Sequence, residues 1–246
     1  MADRWIQNHQ QDSWRRQAKA SGYRARSAFK LKQIQDKHKL VSSGDSVLDV
    51  GCHPGGWAQV AVELVGENGK VVGVDLQSCV PVEGAKLIVG DITDIHTQTA
   101  VLEAIDTEVI DVVVSDISPH ITGKWDIDQA VSLMLVAEVF DFSLPILKYG
   151  GHFVTKLFQG VGVEELIELV KPHFKVVKRF SPMASRNSSS EVYLICKYHT
   201  PKKGPDWKIR PAFEIALEER EGGLQPDEDV EPIRSKFVVK RKSSND

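Results

Sequence analysis

The stretch SVLDVGCHPGGW, residues 46–57, contains the pattern that decides the fold. It begins with an apolar run, Ser46–Val50, passes through a glycine-rich turn and leads into a helical pattern near residues 57–65. A short apolar strand, a glycine turn and a helix in this order are typical of the first unit of an open α/β sheet. The turn has neither the G-x-G-x-x-G spacing of dinucleotide-binding proteins nor the Lys-Ser/Thr pair of a P-loop. It therefore indicates either a ligand site without a phosphate cradle or a tight turn alone.

The same alternation of apolar runs and helical patterns continues along the chain. Further strands are predicted at Lys70–Asp75, Lys86–Gly90, Ile110–Ser115, Gly151–Phe158, Val176–Ser181 and Val192–Lys197, and helices near residues 97–106, 127–148 and 162–171. The early strands are almost continuously apolar, which is expected when helices cover both faces of a sheet. Only a polar loop separates the last two strands, which favours an antiparallel pairing. We expect a Rossmann-like α/β fold with a seven-stranded, mostly parallel sheet, one antiparallel strand and helices on both faces.

The chain divides into three segments by composition. Residues 1–40 form a basic arm of the main domain, in which Arg24–Lys39 shows the pattern of one or two amphipathic helices. Residues 41–198 contain the predicted sheet and form the main domain. Residues 199–246 are an extension of unknown function, with a short acidic helix predicted at Glu214–Glu221 and disorder predicted at Gly222–Pro232.

Charge is distributed unevenly over these segments. The chain of 246 residues has 31 Lys+Arg and 34 Asp+Glu, a net charge of −3, which by itself argues against a polyanionic partner. The arm, however, has 10 basic residues against 3 acidic ones, whereas residues 41–199 have 11 against 21. Because local potential rather than net charge attracts phosphate groups, the arm suits a nucleic-acid partner.

The sequence also suggests where the protein acts. It has no apolar run of about 18 residues and no apolar segment near its start, so we expect neither a membrane span nor a secretory signal. Three widely spaced cysteines, Cys52, Cys79 and Cys196, form no disulfide framework and no zinc pattern. The resulting expectations are a cytoplasmic location, no bound metal, and a monomer as the default state.

Acidic residues follow the second and third predicted strands. Asp75 closes one strand, where a carboxylate can accept both ribose hydroxyls of a nucleoside. Asp91 follows the next strand, where it can accept from an adenine amino group. Either residue alone could equally be a helix N-cap or a turn residue. Together with the glycine turn they predict an adenosine pocket, which suits S-adenosylmethionine better than NAD or ATP.

A lysine stands inside the apolar run of the fifth predicted strand. Lys156 lies in HFVTKLF, residues 152–158, although lysine is almost never buried without a partner. One interpretation is a side chain that reaches solvent from the edge of the strand. The other is a buried lysine near another cation, which could serve as a base.

Five separated motifs make the chain resemble the FtsJ-type (RlmE) ribosomal RNA 2′-O-methyltransferases over about residues 10–198. The motifs are SAFKL at 27–31, PGGW at 54–57, Ser115-Asp116 with Pro119 and Gly123, KLFQG at 156–160, and Ser185-Arg186 with SEVY at 190–193. The resemblance implies a catalytic tetrad of Lys30, Asp116, Lys156 and Glu191. It also implies cofactor contacts at Gly51, Gly55, Gly56, Trp57, Asp75, Asp91 and Asp116. Four residues depart from those common in the family: Cys52, His53, Ser118 and His120.

The resemblance implies a reaction and a partner. It predicts methyl transfer from S-adenosylmethionine to a ribose 2′-hydroxyl of RNA, with a uridine in the A-loop of large-subunit ribosomal RNA as the target. The alternatives are a tRNA anticodon loop as substrate, or a catalytically silent RNA-binding role in ribosome assembly. Lys156 is expected either to accept the hydroxyl proton or to orient the hydroxyl. The residues expected on RNA phosphates, each with a solvated helix face as the alternative, are Arg15, Arg16, Lys19, Arg24, Arg26 and Arg186.

Overall fold

A seven-stranded sheet forms the centre of the computed structural model, which describes residues 13–185, 190–201 and 207–222. Its strands are β1 Ser46–Val50, β2 Lys70–Asp75, β3 Ala85–Val89, β4 Ile110–Ser115, β5 Leu147–Phe158, β6 Phe174–Phe180 and β7 Glu191–His199. The helices are α1 at residues 13–20, α2 Ser27–His38, α3 Gly56–Val65, α4 Ile95–Ile105, α5 Trp125–Ser143, α6 Val163–Val170 and α7 Ile209–Gly222. Within these ranges, every helix is too short or too polar to cross a bilayer.

The order of the strands confirms the predicted α/β fold. Across the sheet the order is β3-β2-β1-β4-β5-β7-β6, with β1 to β5 parallel and β7 antiparallel to both of its neighbours. The chain runs outward from β1 through β2 and β3, and then returns to add β4 and β5 on the other side of β1. The boundary between β1 and β4 is therefore the switch point, where open α/β sheets bind ligands beyond the carboxyl ends of their strands.

A proline explains the main difference between predicted and observed boundaries. The helical pattern predicted near residues 127–148 runs across Pro145, but α5 ends at Ser143. Proline has no N–H to continue the helical hydrogen bonds, so the helix stops ahead of it. The chain then enters β5 at Leu147, earlier than the predicted Gly151, and Leu147 pairs with Ile110 of β4.

Apolar side chains pack against both faces of the sheet. On one face they come from α4, α5 and α6, and Phe140 of α5 stacks on Phe153 of β5 with ring centroids 4.1 Å apart. On the other face they come from α2 and α3, and include Leu31, Ile34 and Trp57. Burial on both sides explains why the strands are almost continuously apolar.

The segment after β7 contributes to the same core. Helix α7 includes the acidic stretch Glu214–Glu221 that was predicted to be helical, and it packs against α5 and α6. Ile209 and Phe213 are fully buried in the apolar cluster that contains the strands. Packed structure thus continues beyond residue 198, where the sequence suggested that the main domain ends. The disorder predicted at Gly222–Pro232 lies outside the described ranges except for Gly222, at which α7 ends.

The described part of the basic arm is docked on the sheet. Ala18 of α1 and Tyr23 are buried together with side chains of α2 and α3. The Tyr23 hydroxyl hydrogen-bonds the carboxylate of Glu63 at 2.6 Å, which ties the arm to α3. Helix α2 lies within the amphipathic pattern predicted at Arg24–Lys39. Residues 1–12 of the arm lie outside the described ranges.

Candidate active site

A cavity lies at the switch point, beyond the carboxyl ends of β1 to β4. Its volume is about 490 Å³, within the range typical of small-molecule sites. Four predicted cofactor residues line it: Gly51, Asp75, Asp91 and Asp116. Ile92, Ile117 and Leu135 supply apolar parts of its wall. Carboxylates combined with apolar walls suit a cationic ligand that carries an adenosine group. The described residues contain no group of three or more His, Cys, Asp or Glu side chains arranged to hold a metal ion.

Gly51 allows the chain to turn directly after β1. Its φ is +80°, in the left-handed region that favours glycine. A Cβ at this position would lie 2.7 Å from the Cα of Ile117, in the loop that follows β4. A side chain here would therefore push apart two loops that line the cavity.

Backbone amides orient the carboxylates of Asp75 and Asp91. One oxygen of Asp75 accepts from the amide of His53 at 2.9 Å, and the other accepts from the amide of Gln77 at 2.8 Å. Asp91 accepts from the amide and the hydroxyl of Thr93 at 2.9 and 2.8 Å. Because each carboxylate oxygen can accept more than one hydrogen bond, both groups keep acceptor capacity for a ligand.

Asp49 on β1 is a buried carboxylate that sequence reasoning missed. It is fully buried, and neither of its oxygens has a hydrogen bond of standard geometry within the described residues. Burial raises the pKa of Asp49 well above its ordinary value, and repulsion from Asp116 and Asp75 acts in the same direction, with the Ala58 amide opposing both. The sequence contained a signal for Asp49, because an acidic residue inside an apolar strand is as unusual as a lysine there.

The remaining predicted cofactor residues, Gly55, Gly56 and Trp57, do not line the cavity. Gly55 has a φ of +104°, and a Cβ there would lie 2.7 Å from Nη1 of Arg24. Trp57 is 2% exposed, and its indole N–H donates to the carbonyl of Ser27 at 2.8 Å. These residues join the start of α3 to the segment that leads into α2, so their structural role is packing. Their contact with a cofactor stays a prediction.

The register of β5 and β7 brings the residues of the predicted tetrad together. In this antiparallel pair Lys156 lies opposite Tyr193, and Phe158 lies opposite Glu191. Residues that face each other across two strands, and residues two apart along one strand, share a face of the sheet. Lys156 and Glu191 therefore lie on one face, and α2, which packs there, supplies Lys30.

Two ion pairs join these four residues. The Nζ of Lys30 lies 2.9 Å from Oε2 of Glu191, and the two side chains are 7% and 19% exposed. The Nζ of Lys156 donates to the backbone carbonyl of Asp116 at 2.8 Å and lies 3.3 Å from Oδ1 of the same residue. The Lys156 side chain is 6% exposed, which excludes the interpretation that it reaches solvent from a strand edge.

The two lysines also determine the charge of Asp116. Burial by itself would raise the pKa of Asp116, but the charges of Lys156 and Lys30 outweigh it, with help from the Tyr193 hydroxyl. They hold that pKa below its ordinary value, so Asp116 is a carboxylate at neutral pH.

Tyr193 connects the two ion pairs, and sequence reasoning gave it no role. Its hydroxyl donates to Oδ1 of Asp116 at 2.8 Å, and the Nζ of Lys30 lies 5.6 Å from the centroid of its ring. Trp57 packs on the same ring with centroids 5.7 Å apart. Burial, followed by the charge of Asp116, raises the pKa of Tyr193 well above its ordinary value, so it stays a hydrogen-bond donor. Its place two residues after Glu191 on β7 was the available signal.

Basic residues of the arm line a groove near α1 and α2. The groove has a volume of about 670 Å³, and its lining includes Arg15, Lys19, Arg24 and Arg26. Arg16 is exposed on α1, and Arg186 lies outside the described ranges. Four of the six residues expected on RNA phosphates are thus neighbours along one groove.

Arg24 differs from the other cations of this groove. Its guanidinium donates to the carbonyls of Val80 and Pro81, the latter at 2.6 Å, and also to that of Pro54 at 3.4 Å. These contacts brace the loop after β2 against the glycine turn. Most of its donors are thus engaged within the protein, and a phosphate contact by Arg24 would compete with them.

Three comparisons with known proteins agree on what the chain is similar to. A family model described as FtsJ-like methyltransferase matches residues 23–199. A relative from Methanocaldococcus jannaschii, named ribosomal RNA large subunit methyltransferase E, is 39% identical over 238 residues, or 95% of this chain and 97% of the relative. A relative of the same name from Halorubrum lacusprofundi is 46% identical over 188 residues, or 76% of this chain and 70% of the relative. A crystal structure from Plasmodium falciparum, described as a ribosomal RNA methyltransferase, matches with a TM-score of 0.66 at 26% identity and covers 73% of this chain and 100% of that one.

Proposed function

The chain belongs to the FtsJ-like methyltransferase family, and on this premise we propose that it methylates a ribose 2′-hydroxyl in large-subunit ribosomal RNA. It is a methyltransferase, and S-adenosylmethionine is its cofactor. One observation above all supports the ribose as the acceptor: Asp116 both lines the cavity and holds the Nζ of Lys156 at 2.8 Å. A single residue thus connects the cofactor site with the group that would act on the hydroxyl. The names of the relatives support the ribosomal substrate.

The residues around the cavity fit this cofactor. Asp75 and Asp91 have acceptor capacity for its ribose hydroxyls and its adenine amino group. Asp116, which is a carboxylate at neutral pH, provides negative charge that would favour a sulfonium cation. When bound, S-adenosylmethionine supplies a methyl group that is already activated for displacement. The tasks left to the protein are alignment of the acceptor oxygen and handling of one proton.

Lys156 is the residue we assign to the acceptor oxygen. An ammonium has three N–H donors, and two of the contacts of Lys156 go to the carbonyl and the carboxylate of Asp116. We assign the third N–H donor of Lys156 to a hydrogen bond with the ribose 2′-oxygen. Glu191 pairs with Lys30, Lys30 lies over the ring of Tyr193, and Tyr193 donates to Asp116, so we assign Lys30 and Glu191 positioning roles. The pH–rate profile of methyl transfer distinguishes acceptance of the proton by Lys156 from orientation of the hydroxyl alone.

Removing two cations from the basic groove is expected to weaken RNA binding and its dependence on salt. Arg15 and Lys19 are exposed on α1, so Arg15→Gln and Lys19→Gln leave the packing intact. Deleting the whole arm would instead remove the buried Ala18 and Tyr23. The slope of log affinity against log salt should decrease by about 0.7–0.9 for each phosphate that the variant no longer neutralises. Titrations of an RNA fragment at several salt concentrations measure this slope.

The matched control for this experiment is Lys86→Gln, because Lys86 is an exposed lysine of the edge strand β3, outside the groove. It should leave the slope unchanged. If the double variant at Arg15 and Lys19 also has the wild-type slope, the assignment of this groove to RNA is refuted.

Mapping the methylated nucleotide tests the proposed function. The purified protein and labelled S-adenosylmethionine are incubated with unmodified large-subunit ribosomal RNA and, separately, with unmodified tRNA. We expect one 2′-O-methyl group, on a uridine of the A-loop. A mark on a tRNA anticodon loop alone would support that alternative instead. Normal cofactor binding with no mark on either RNA would indicate a silent RNA-binding role in ribosome assembly.

The proposal also includes the setting of the reaction. We assign ribosomal RNA or the large ribosomal subunit as the partner, with the chain acting as a monomer in the cytoplasm. Cys52, Cys79 and Cys196 are free thiols, which agrees with a reducing compartment.

A further inference from the structure

An exposed tryptophan stands beside the predicted catalytic lysine. Trp125, the first residue of α5, is 47% exposed, and its ring centroid lies 5.6 Å from that of Phe158 at an interplanar angle of 61°. Phe158 follows Lys156 by two residues on β5, and the Nζ of Lys156 lies 5.7 Å from the centroid of the Phe158 ring. Trp125 is therefore one aromatic ring away from the group assigned to the 2′-oxygen.

Two buried polar residues fix the position of Trp125. The carboxylate of Asp128 accepts from the amide and the hydroxyl of Thr122 at 2.9 and 2.7 Å, and from the amide of Gly123 at 2.9 Å. This holds the loop that connects the cavity to α5. On the next residue of the helix, the side-chain amide of Gln129 donates to the carbonyl of Val161 at 3.0 Å, which holds the loop after β5. The tryptophan thus lies at the start of a helix that is hydrogen-bonded to two loops.

The surroundings of Trp125 are those of a surface that is covered during function. A half-exposed indole leaves apolar area in water, and two residues near it in the sequence, Ile121 and Ile127, are 53% and 51% exposed. Lys124, directly before Trp125, is exposed and can neutralise a phosphate. An aromatic face flanked by a cation is the combination on which single-stranded nucleic acids stack their bases.

We propose that the exposed face of Trp125 stacks on the nucleobase of the nucleotide that is methylated. This inference rests on the proposed function, because it requires an RNA ribose at Lys156. Proteins that recognise a particular RNA nucleotide mostly bind single-stranded regions, where the unstacked base stacks on an aromatic side chain instead. Lys156 and Trp125 both contact the Phe158 ring, at 5.7 and 5.6 Å from its centroid. We therefore place the ribose at the lysine and the base against the tryptophan, with stacked ring centroids about 4.5–7 Å apart. Trp125 is then a specificity-determining residue that favours a nucleotide with an intact base.

A cycle of protein and RNA changes tests this inference. The RNA is the fragment that the wild-type protein methylates, prepared either intact or with an abasic ribose at the target position. Wild-type protein should have a kcat/KM about 5- to 150-fold higher for the intact RNA. In Trp125→Ala that preference should disappear, whereas Trp125→Phe, which keeps a π face, should retain most of it. Trp125→Leu, which keeps apolar bulk without a π face, should behave like Trp125→Ala.

The control is Tyr149→Ala, because Tyr149 is an aromatic residue that is 71% exposed at the other end of β5. It should keep the wild-type preference. If Trp125→Ala keeps the wild-type preference for the intact base, or if Trp125→Leu does, stacking by Trp125 is overturned while the proposed function stands. If the wild-type protein methylates no RNA, the proposed function fails, and the role of Trp125 fails with it. The affinity of each variant for S-adenosylmethionine is measured as well. A wild-type affinity shows that the variant is folded, so a change in its preference for the intact RNA does not come from a damaged fold.

Discussion

Lys156→Met is expected to reduce the rate of methyl transfer by about 10²–10⁴-fold, the usual contribution of a group that handles a proton. Methionine keeps most of the length of the buried side chain but cannot donate to Asp116 or to a ribose oxygen. The affinity for S-adenosylmethionine should change little, since Lys156 does not line the cavity. Single-turnover transfer of a labelled methyl group to RNA, with the cofactor affinity measured by calorimetry, gives both quantities.

Lys148→Met is the matched control for this variant. Lys148 lies on the same strand but near its other end, where it is 48% exposed and pairs with Asp111. It should leave transfer at the wild-type rate. If Lys156→Met retains more than about a tenth of the wild-type rate, a loss of less than about 1.4 kcal/mol in transition-state stabilisation, the assignment of Lys156 is wrong.

Glu191→Gln is expected to destabilise the protein by about 3 kcal/mol, the second large effect. It leaves the ammonium of Lys30, a side chain that is 7% exposed, without its carboxylate partner at 2.9 Å. Breaking a buried pair costs about 3–5 kcal/mol, and the 19% exposure of Glu191 favours the lower end of that range. Adding Lys30→Met should recover most of the loss, because no buried charge then remains unpaired. Urea unfolding of the single and double variants measures the free energies.

Glu164→Gln provides the comparison. Glu164 pairs with Arg179 at 2.5 Å, but its side chain is 71% exposed, so its loss should cost less than about 1 kcal/mol. If the double variant Lys30→Met with Glu191→Gln is as unstable as Glu191→Gln alone, the instability does not come from the unpaired charge. The double variant should still be impaired in methyl transfer, since Lys30 also lies over Tyr193, which hydrogen-bonds Asp116.

The main features of the fold could be predicted because they depend on local patterns. The runs at Ser46–Val50 and Ile110–Ser115 form strands with the predicted bounds, since apolar runs between helical patterns have few other ways to be buried. The polar loop between the last two predicted strands indicated an antiparallel pair, and β6 and β7 form that pair. The end of α5 was misplaced because periodicity continued across Pro145, and the missing N–H of proline outweighs periodicity.

The candidate site was less accessible to sequence reasoning. Lys156 stands out because a lysine is unusual in an apolar strand. Glu191, another member of the predicted tetrad, came from the resemblance. Asp49 was missed although it is an acid in an apolar strand, and Trp125 was missed because an exposed aromatic at a helix start has no distinctive pattern. The second use of Arg24, as a brace for the loop after β2, depends on backbone carbonyls that no side-chain pattern identifies.

The sequence by itself determined which segments along the chain form strands and helices. It also determined the carboxylates at the ends of β2 and β3 and the basic character of the arm. All of these follow from neighbouring residues, whose alternation, turn chemistry and charge act over a few positions. Only the tertiary structure decided that Lys156 lies opposite Tyr193, and that α2 places Lys30 against Glu191 across 161 positions of the chain. Strand register and helix docking are set by the packing of the whole core, and a shift of one residue in β7 would turn Glu191 and Tyr193 to the opposite face.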